Sequence, residues 1–186
     1  MLRIIGGKWR GRKLRFPPSP GIRPTPDRVR ETLFNWLAPR VVGARCLDLF
    51  AGSGALGLES LSRGADHVTF VERDSAAVRE LRARLAEWGA TGAHLEQGDA
   101  MGFLGGTGAP YDIVFLDPPF DSDAVTVAAR LLEQRHWLAP GALIYVECAA
   151  RGGLPELPPS WVVTKTKQAG EVGYHLLTRA RGERSE

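Results

Sequence analysis

From residue 45 onwards, short apolar segments alternate with longer amphipathic ones, and this alternation constrains the fold more than any other feature of the chain. Nearly continuous apolar strands joined by helices predict a parallel sheet that is covered by helices on both faces. The predicted strands are 45–49, 67–72, 93–97, 112–116 and 142–147, and the predicted helices are 55–63, 75–88, a short turn near Met101, and 123–134.

Two hairpins flank this α/β pattern. Near the C-terminus, the segments 161–167 and 172–179 have the spacing of a hairpin, so we expect them to be antiparallel at the edge of the sheet. At the N-terminus, a strand at 2–5, a glycine-rich turn at 6–11 and a strand at 13–16 predict a small basic β-hairpin.

A proline-rich linker, 17–21, separates the N-terminal hairpin from the first helix. Thr25 is the expected N-cap of that helix, and Pro26 is expected in its first turn. The chain is long enough for one domain with a small appendage. The expected division is a basic arm with its linker at 1–22, a main domain at 23–180 and a frayed tail at 181–186.

The net charge of +3 hides an uneven distribution of charge along the chain. Residues 1–45 contain eleven Lys and Arg against two acids, a net charge of +9, whereas the remaining residues contain 13 basic and 19 acidic side chains, a net charge of −6. Apolar residues and glycines are interspersed among the basic ones, which favours a folded arm that binds a polyanion over a solvated tail.

The first strand of the α/β pattern runs into a glycine-rich loop. Gly52, Gly54 and Gly57 satisfy the G-x-G-x-x-G pattern, which by itself points weakly to a dinucleotide. Asp48 argues against a dinucleotide, because its carboxylate would repel a pyrophosphate. A ligand with positive charge fits better, and S-adenosylmethionine (SAM) carries an ammonium and a sulfonium group.

Two further acids lie at the C-terminal ends of the next two strands. Glu72 is expected to accept hydrogen bonds from the ribose hydroxyls, and Asp99 from the adenine amine. Structural alternatives exist: Asp48 as a turn former, Glu72 as a solvated strand end and Asp99 as a helix N-cap. Because open α/β sheets bind ligands at the C-terminal ends of their strands, the three acids together favour SAM. The residues expected to contact SAM are Asp48, Phe50, Ala51, Gly52, Ser53, Gly54, Glu72, Arg73, Asp99, Ala100 and Asp117.

The fourth strand ends in Asp117-Pro118-Pro119-Phe120. The Asp117 side chain and the Pro118 carbonyl can each accept one N–H of an amine and so turn its lone pair towards a methyl donor. The prolines would hold this geometry rigidly. Phe120 offers a face for a flipped-out base. These four residues predict a catalytic site for a planar amine, and a proline-rich turn is the alternative.

The motifs together resemble a known family. The glycine loop preceded by Asp48, combined with Asp-Pro-Pro-Phe, is similar to class I amino-methyltransferases. Two N-terminal motifs resemble the RsmD family, bacterial methyltransferases that modify a guanine N2 amine of 16S ribosomal RNA. These motifs are Arg3-Ile4-Ile5-Gly6-Gly7-x-x-Arg10-Gly11-Arg12-Lys13-Leu14 and Arg23-Pro24-Thr25-x-x-x-Val29-Arg30-Glu31-x-Leu33-Phe34-Asn35.

This resemblance implies a Rossmann-like sheet of seven strands in the order 3-2-1-4-5-7-6, with strand seven antiparallel. It implies SAM as donor, S-adenosylhomocysteine as product, and 16S ribosomal RNA in the small subunit or an assembly intermediate as substrate. Family matching places Thr25 and the Arg30-Glu31 pair beside the methionine end of SAM. The residues expected to bind RNA are Arg3, Lys8, Arg10, Arg12, Lys13, Arg15, Arg23 and Arg28.

Other readings remain open at this stage. A related methyltransferase could act on adenine N6 of nucleic acid or on a protein glutamine amide, and a non-catalytic RNA-binding protein is a further alternative. We expect a cytoplasmic monomer without a membrane segment. Cys46 and Cys148 are expected to be buried thiols, because their spacing suits no zinc site.

Overall fold

The computed structural model describes residues 1–15, 24–119 and 122–182, and the chain divides into two compact units, Met1–Ala100 and Met101–Glu186. Several sequence-based predictions concern residues outside the described ranges. They are the end of an N-terminal strand at Phe16, the linker 17–21, the RNA contact Arg23, the stacking residue Phe120 and most of the predicted tail, 183–186.

The first unit begins with a small antiparallel hairpin, in which Leu2 pairs with Leu14 and a short 3-10 helix, Gly7–Trp9, lies between the strands. The strand–helix alternation follows. The elements are β1 Leu2–Arg3, β2 Lys13–Leu14, α1 Asp27–Val41, β3 Arg45–Asp48, α2 Ala55–Ser62, β4 His67–Glu72, α3 Ser75–Glu87 and β5 Ala93–Gln97.

The second unit continues the alternation and ends in a long hairpin. A short helix, α4, spans the boundary between the units. The elements are α4 Ala100–Leu104, β6 Tyr111–Leu116, α5 Ala124–Gln134, β7 Leu138–Ala149, β8 Trp161–Ala169 and β9 Val172–Arg179.

The strands β3 to β9 form one sheet in the order β5-β4-β3-β6-β7-β9-β8. In the first unit, β3, β4 and β5 are parallel. In the second, β6 and β7 are parallel, and β9 runs antiparallel to both β7 and β8. This is the predicted order 3-2-1-4-5-7-6 with a reversed seventh strand, so the predicted fold class, including the small N-terminal hairpin, is confirmed.

The inner strands are apolar and buried, whereas the edge strands are polar. Every residue from Ile113 to Leu116 in β6 is fully buried. The edge strands β5 and β8 are exposed over most of their length. This contrast follows from position, because only strands in the middle of a sheet have both faces covered. Among the described residues, no helix combines the length and apolarity that crossing a bilayer requires.

The start of α1 differs from the prediction. Pro26, not Thr25, occupies the N-cap position, and no side chain caps the first turn. The Pro26 carbonyl accepts the Arg30 N–H at 3.0 Å, so the helix begins one residue later than expected. The acid Asp27 in the first turn complements the helix dipole. Thr25 as N-cap was therefore wrong.

Candidate active site

The glycine loop joins β3 to α2 in the first unit. Gly52 and Gly54 have φ angles of 53° and 77°, a left-handed conformation that favours glycine. A Cβ on Gly54 would lie 2.6 Å from a Leu81 methyl carbon, and a Cβ on Gly57 would lie 2.2 Å from the Phe70 ring. The glycines therefore allow both a tight turn and close packing of α2.

Asp48 ends β3 and is only 2% exposed. Its Oδ2 accepts a hydrogen bond of 3.0 Å from the backbone N–H of Gly57 in the first turn of α2, whose own N-cap position is Gly54. The carboxylate therefore caps α2 from outside the helix. Burial raises the pKa of Asp48 to about 7, the Gly57 N–H lowers it, and the nearby Glu72 raises it. A cation beside this carboxylate would offset the cost of burying its charge.

Glu72 ends β4, and its carboxylate is fixed by two backbone donors. Oε2 accepts the N–H of Gly52 at 2.7 Å, and Oε1 accepts the N–H of Asp74 at 2.8 Å. Asp74 in turn caps α3 through the N–H of Ala77. The structure thus brings Glu72 to the glycine loop and holds its carboxylate in one orientation.

The other residues predicted to bind SAM in the first unit differ in exposure. Ala51 and Ala100 are buried, Phe50 and Ser53 are half-buried, and Arg73 and Asp99 are exposed. Asp99 directly precedes α4, so its alternative interpretation as a helix cap remains open.

Arg30, expected near SAM by family matching, lies in a buried polar network. Its guanidinium is fully buried and donates to the Thr25 carbonyl at 3.2 Å and to the Arg3 carbonyl at 2.9 Å. It also pairs with Asp27 of the same helix. Arg30 therefore ties β1 to the start of α1, whereas its neighbour Glu31 is exposed.

Glu59 of α2 completes this network and was not identified from the sequence. The side chain has no exposed surface, and its carboxylate accepts the N–H groups of Ile5 and Gly6. It also pairs with Arg30 at 3.3 Å and Arg63 at 2.9 Å. The available signal was an acid within a helix of otherwise apolar and small residues. Such a helix is buried, and an acid that is buried with it needs hydrogen-bond or ionic partners.

In the second unit, the Asp-Pro-Pro motif directly follows β6. Asp117 is half-buried, Pro118 is buried and Pro119 is exposed. The Ser122 hydroxyl donates to the Pro119 carbonyl at 2.8 Å. Phe120 lies outside the described residues.

Two residues of β7 share this end of the strands with Asp117. Leu116 pairs with Val146, so Asp117 and Glu147 occupy the next positions on neighbouring parallel strands. The Tyr145 hydroxyl donates to Glu147 Oε2 at 2.9 Å, and Glu147 is 5% exposed. Burial raises the pKa of Tyr145 well above its usual value, and the charges of Glu147 and Asp117 raise it further. Tyr145 and Glu147 were not predicted from the sequence. The available signal was a pair of polar side chains at alternate positions of an otherwise apolar strand.

The hairpin expected to bind RNA has one buried side and one basic side. Trp9 and Leu14 are buried, and Lys8 Nζ lies 4.6 Å from the centroid of the Trp9 ring. The Arg12 guanidinium lies 5.5 Å from the centroid of the Trp88 ring. The described cations of the predicted RNA-binding set are all exposed: Arg3, Lys8, Arg10, Arg12, Lys13, Arg15 and Arg28.

A sequence model of the family described as Conserved hypothetical protein 95 matches residues 2–178. The chain is 54% identical over 183 residues to ribosomal RNA small subunit methyltransferase D of Escherichia coli strain K12, which covers 98% of this chain and 92% of the relative. The protein of the same name from Haemophilus influenzae is 45% identical over 179 residues, with coverages of 94% and 92%. The chain belongs to the RsmD family.

A solved structure agrees with this assignment. The Escherichia coli protein yhhF, described as a methyltransferase candidate, matches with a TM-score of 0.91 at 51% identity, over 96% of this chain and 98% of that one. These matches confirm the predicted family and the predicted enzyme class, a methyltransferase. The roles of individual residues stay predictions.

Proposed function

We propose that this protein transfers a methyl group from SAM to the N2 amine of a guanine in 16S ribosomal RNA, in the small subunit or an assembly intermediate. Methyltransferase chemistry follows from membership of the RsmD family, whose relatives here are named ribosomal RNA small subunit methyltransferase D. The observation that carries the choice of an amine is the Asp117-Pro118-Pro119 turn at the end of a fully buried strand.

Three features of the first unit fit SAM. The glycine loop turns at Gly52 and Gly54, and because these residues have no side chains, a ligand can approach the backbone there. The buried Asp48 carboxylate would be stabilised by a ligand cation. Glu72, held by two N–H groups, keeps acceptor capacity for ribose hydroxyls.

When bound, SAM supplies an electrophilic methyl group. We assign Asp99 to the adenine amine and the remaining contacts to Thr25, Phe50, Ala51, Ser53, Arg73, Ala100 and Asp117.

The second unit supplies the groups assigned to the acceptor. Asp117 and the Pro118 carbonyl each accept one N–H of the amine, which orients the nitrogen lone pair. The Asp117 carboxylate also stabilises the positive charge that develops on nitrogen. It does not need to be a strong base, because the amine proton becomes acidic only after transfer. Pro119 stiffens the turn, and Phe120 is assigned to stacking on the base.

The hairpin favours a nucleic acid over a protein as the acceptor. Adenine N6 and a glutamine amide also present an NH₂ on a planar group, so the Asp-Pro-Pro motif alone accepts all three. The row of exposed cations from Lys8 to Arg15 suits a phosphate backbone, whereas a protein substrate gives no reason for it.

The experiment is transfer of label from SAM to small ribosomal subunits purified from a strain without its own enzyme of this family. After transfer, RNA and protein are separated and counted. We expect the label in the RNA. Label in the protein fraction, or in neither fraction, would contradict the proposal, and free 16S RNA in parallel tests whether the assembled particle is required.

A further inference from the structure

A groove in the first unit lies between the N-terminal hairpin and the end of α3. Its volume is about 710 Å³. The residues that matter for its chemistry are Arg12, Lys13 and Arg15 on the hairpin and Arg84, Glu87 and Trp88 at the C-terminal end of α3. We propose that this groove, the Trp88 groove, binds a single-stranded segment of the RNA substrate, with Trp88 as the surface on which a base stacks. This inference rests on the proposed function and names a binding surface for that substrate.

Trp88 is an aromatic side chain that the apolar core does not require. The buried side of α3 is formed by Ala77, Val78 and Leu81, whereas Trp88 is the C-cap residue and is only half-buried. The buried Trp9 ring supports the indole, with the ring centroids 5.2 Å apart and the planes tilted by 51°. An indole held in this way loses little side-chain entropy when a base stacks on it in place of the exposed Arg12 guanidinium.

The cations around Trp88 suit a phosphate backbone. The Arg12 guanidinium lies over the Trp88 ring, so a second group that stacks on bases is adjacent to the indole. Arg84 pairs with Glu87 and, at 3.9 Å, with Glu80, both of which are exposed. Ion pairs with exposed acids stabilise little, so a phosphate can replace Glu80 and Glu87 as the partner of the half-buried Arg84. An acidic peptide could use the cations, but its backbone would leave the indole without a stacking partner.

The combination of stacking surface and cations favours unpaired RNA. In a duplex the faces of the bases are covered by their neighbours, so a protein reads its shape and phosphates. In a single strand the bases are free to stack on aromatic rings and guanidinium planes.

Two residues of the groove also lie near the glycine loop. Arg15 and Arg84 line a second, small cavity together with Gly52 and Ser53. This cavity, of about 10 Å³, has room for about one water molecule and none for a base. Arg15 and Arg84 are therefore shared by the groove and by the small cavity at the loop assigned to SAM.

The test uses the full-length protein, a fluorescent single-stranded RNA of about twelve nucleotides, the matching duplex, and small subunits with SAM. Trp88→Ala is expected to weaken single-strand binding by roughly fivefold to a hundredfold and to raise KM for small subunits, whereas Trp88→Phe should lose less because its ring still stacks. Arg84→Gln should reduce the slope of log affinity against log salt by about 0.7, the value for one phosphate of a single strand. Arg82→Gln, on the exposed side of α3 and outside the groove, is the matched control and should change none of these three quantities.

The outcomes separate this inference from the proposed function. If wild type methylates RNA while Trp88→Ala and Arg84→Gln keep its affinity, salt slope and KM, the groove is refuted and the function stands. If wild type methylates no RNA but binds single strands through Trp88, the function fails and the groove stands. Equal effects of Arg82→Gln and Arg84→Gln, or tighter binding of the duplex, would also refute the groove. Should Trp88→Ala fail to fold, Trp88→Phe and Arg84→Gln decide, since neither empties a buried site.

Discussion

Asp48 and Asp117 are the same residue type at the ends of two strands, and their surroundings assign them different tasks. Asp48 is buried and caps α2, so its negative charge is unfavourable unless a cation lies nearby. Asp117 is half-buried in a turn stiffened by two prolines, where its oxygens can accept the N–H of an amine.

We expect Asp117→Ala to lower the turnover number by at least about a hundredfold, the typical loss when one preorganised group at a reacting centre is removed. SAM affinity should change little, because we assign most of the contacts with the donor to residues of the first unit, among them Asp48 and Glu72. Methyl transfer to small subunits and calorimetric SAM binding measure the two effects. Asp117→Asn is the matched variant, and its remaining amide oxygen should preserve part of the rate. Full activity of the Ala variant would refute the assigned acceptor site.

The pKa of Asp48 predicts how stability depends on pH. Its folded-state pKa of about 7 lies above the usual value of 3.8, so the folded protein prefers the protonated carboxyl. The stabilising contribution is complete below about pH 4 and is lost as the pH rises through 7. Relative to Asp48→Asn, wild type should therefore lose up to about 1.4 kcal/mol of unfolding free energy per pH unit in this window. Urea denaturation at several pH values measures the difference, and a constant difference would contradict the assignment.

The same carboxylate should link SAM binding to proton release. A ligand cation favours the ionised form of Asp48, so SAM affinity should rise by up to about tenfold per pH unit below pH 7. Calorimetry in buffers of different ionisation enthalpy detects the released proton. In Asp48→Asn this release should disappear, and its persistence would place the titrating group elsewhere.

At the scale of elements, the N-terminal hairpin is held to α1 and α2 by the buried pair of Arg30 and Glu59. We expect Glu59→Gln to lower the free energy of unfolding by about 3–5 kcal/mol, because Arg30 and Arg63 would lose their buried counter-charge. Glu80→Gln, which removes only an exposed partner of Arg84, is the control and should cost less than about 1 kcal/mol. Similar losses in both variants, measured by denaturant unfolding, would show that the buried pair does not anchor the hairpin.

Two strands show where local patterns are sufficient and where they are not. The apolar run at His67–Glu72 predicted β4 residue for residue. β7 begins at Leu138, earlier than predicted, because Leu138 already pairs with Tyr111. Pro140 and Gly141, which normally break a strand, lie where the register shifts instead.

The N-terminal strand shows the opposite error. It was predicted to continue to Ile5 but ends at Arg3, because the N–H groups of Ile5 and Gly6 donate to Glu59 and not to β2. The acceptor lies more than fifty positions away in the sequence, so no local pattern could reveal the competition.

At the scale of the whole molecule, the motifs were sufficient to predict the family and the strand ends that carry the acids, and the strand order followed from the family resemblance. They did not reveal the Tyr145–Glu147 pair, the buried network or the Trp88 groove. The buried network and the groove join segments that are distant in sequence, so they become visible only once the chain has folded. The glycine loop, the Asp-Pro-Pro motif and the acids at strand ends could be predicted, because each is defined by residues that are adjacent in the sequence.

The central claim is that the acceptor is the N2 amine of a guanine in small-subunit RNA. The most direct measurement is mass spectrometry of nucleosides from unmodified small subunits that have been treated with the protein and isotopically labelled SAM. The account predicts labelled N2-methylguanosine in wild-type reactions and its loss with Asp117→Ala. Labelled N6-methyladenosine, or label confined to ribosomal protein, would contradict it.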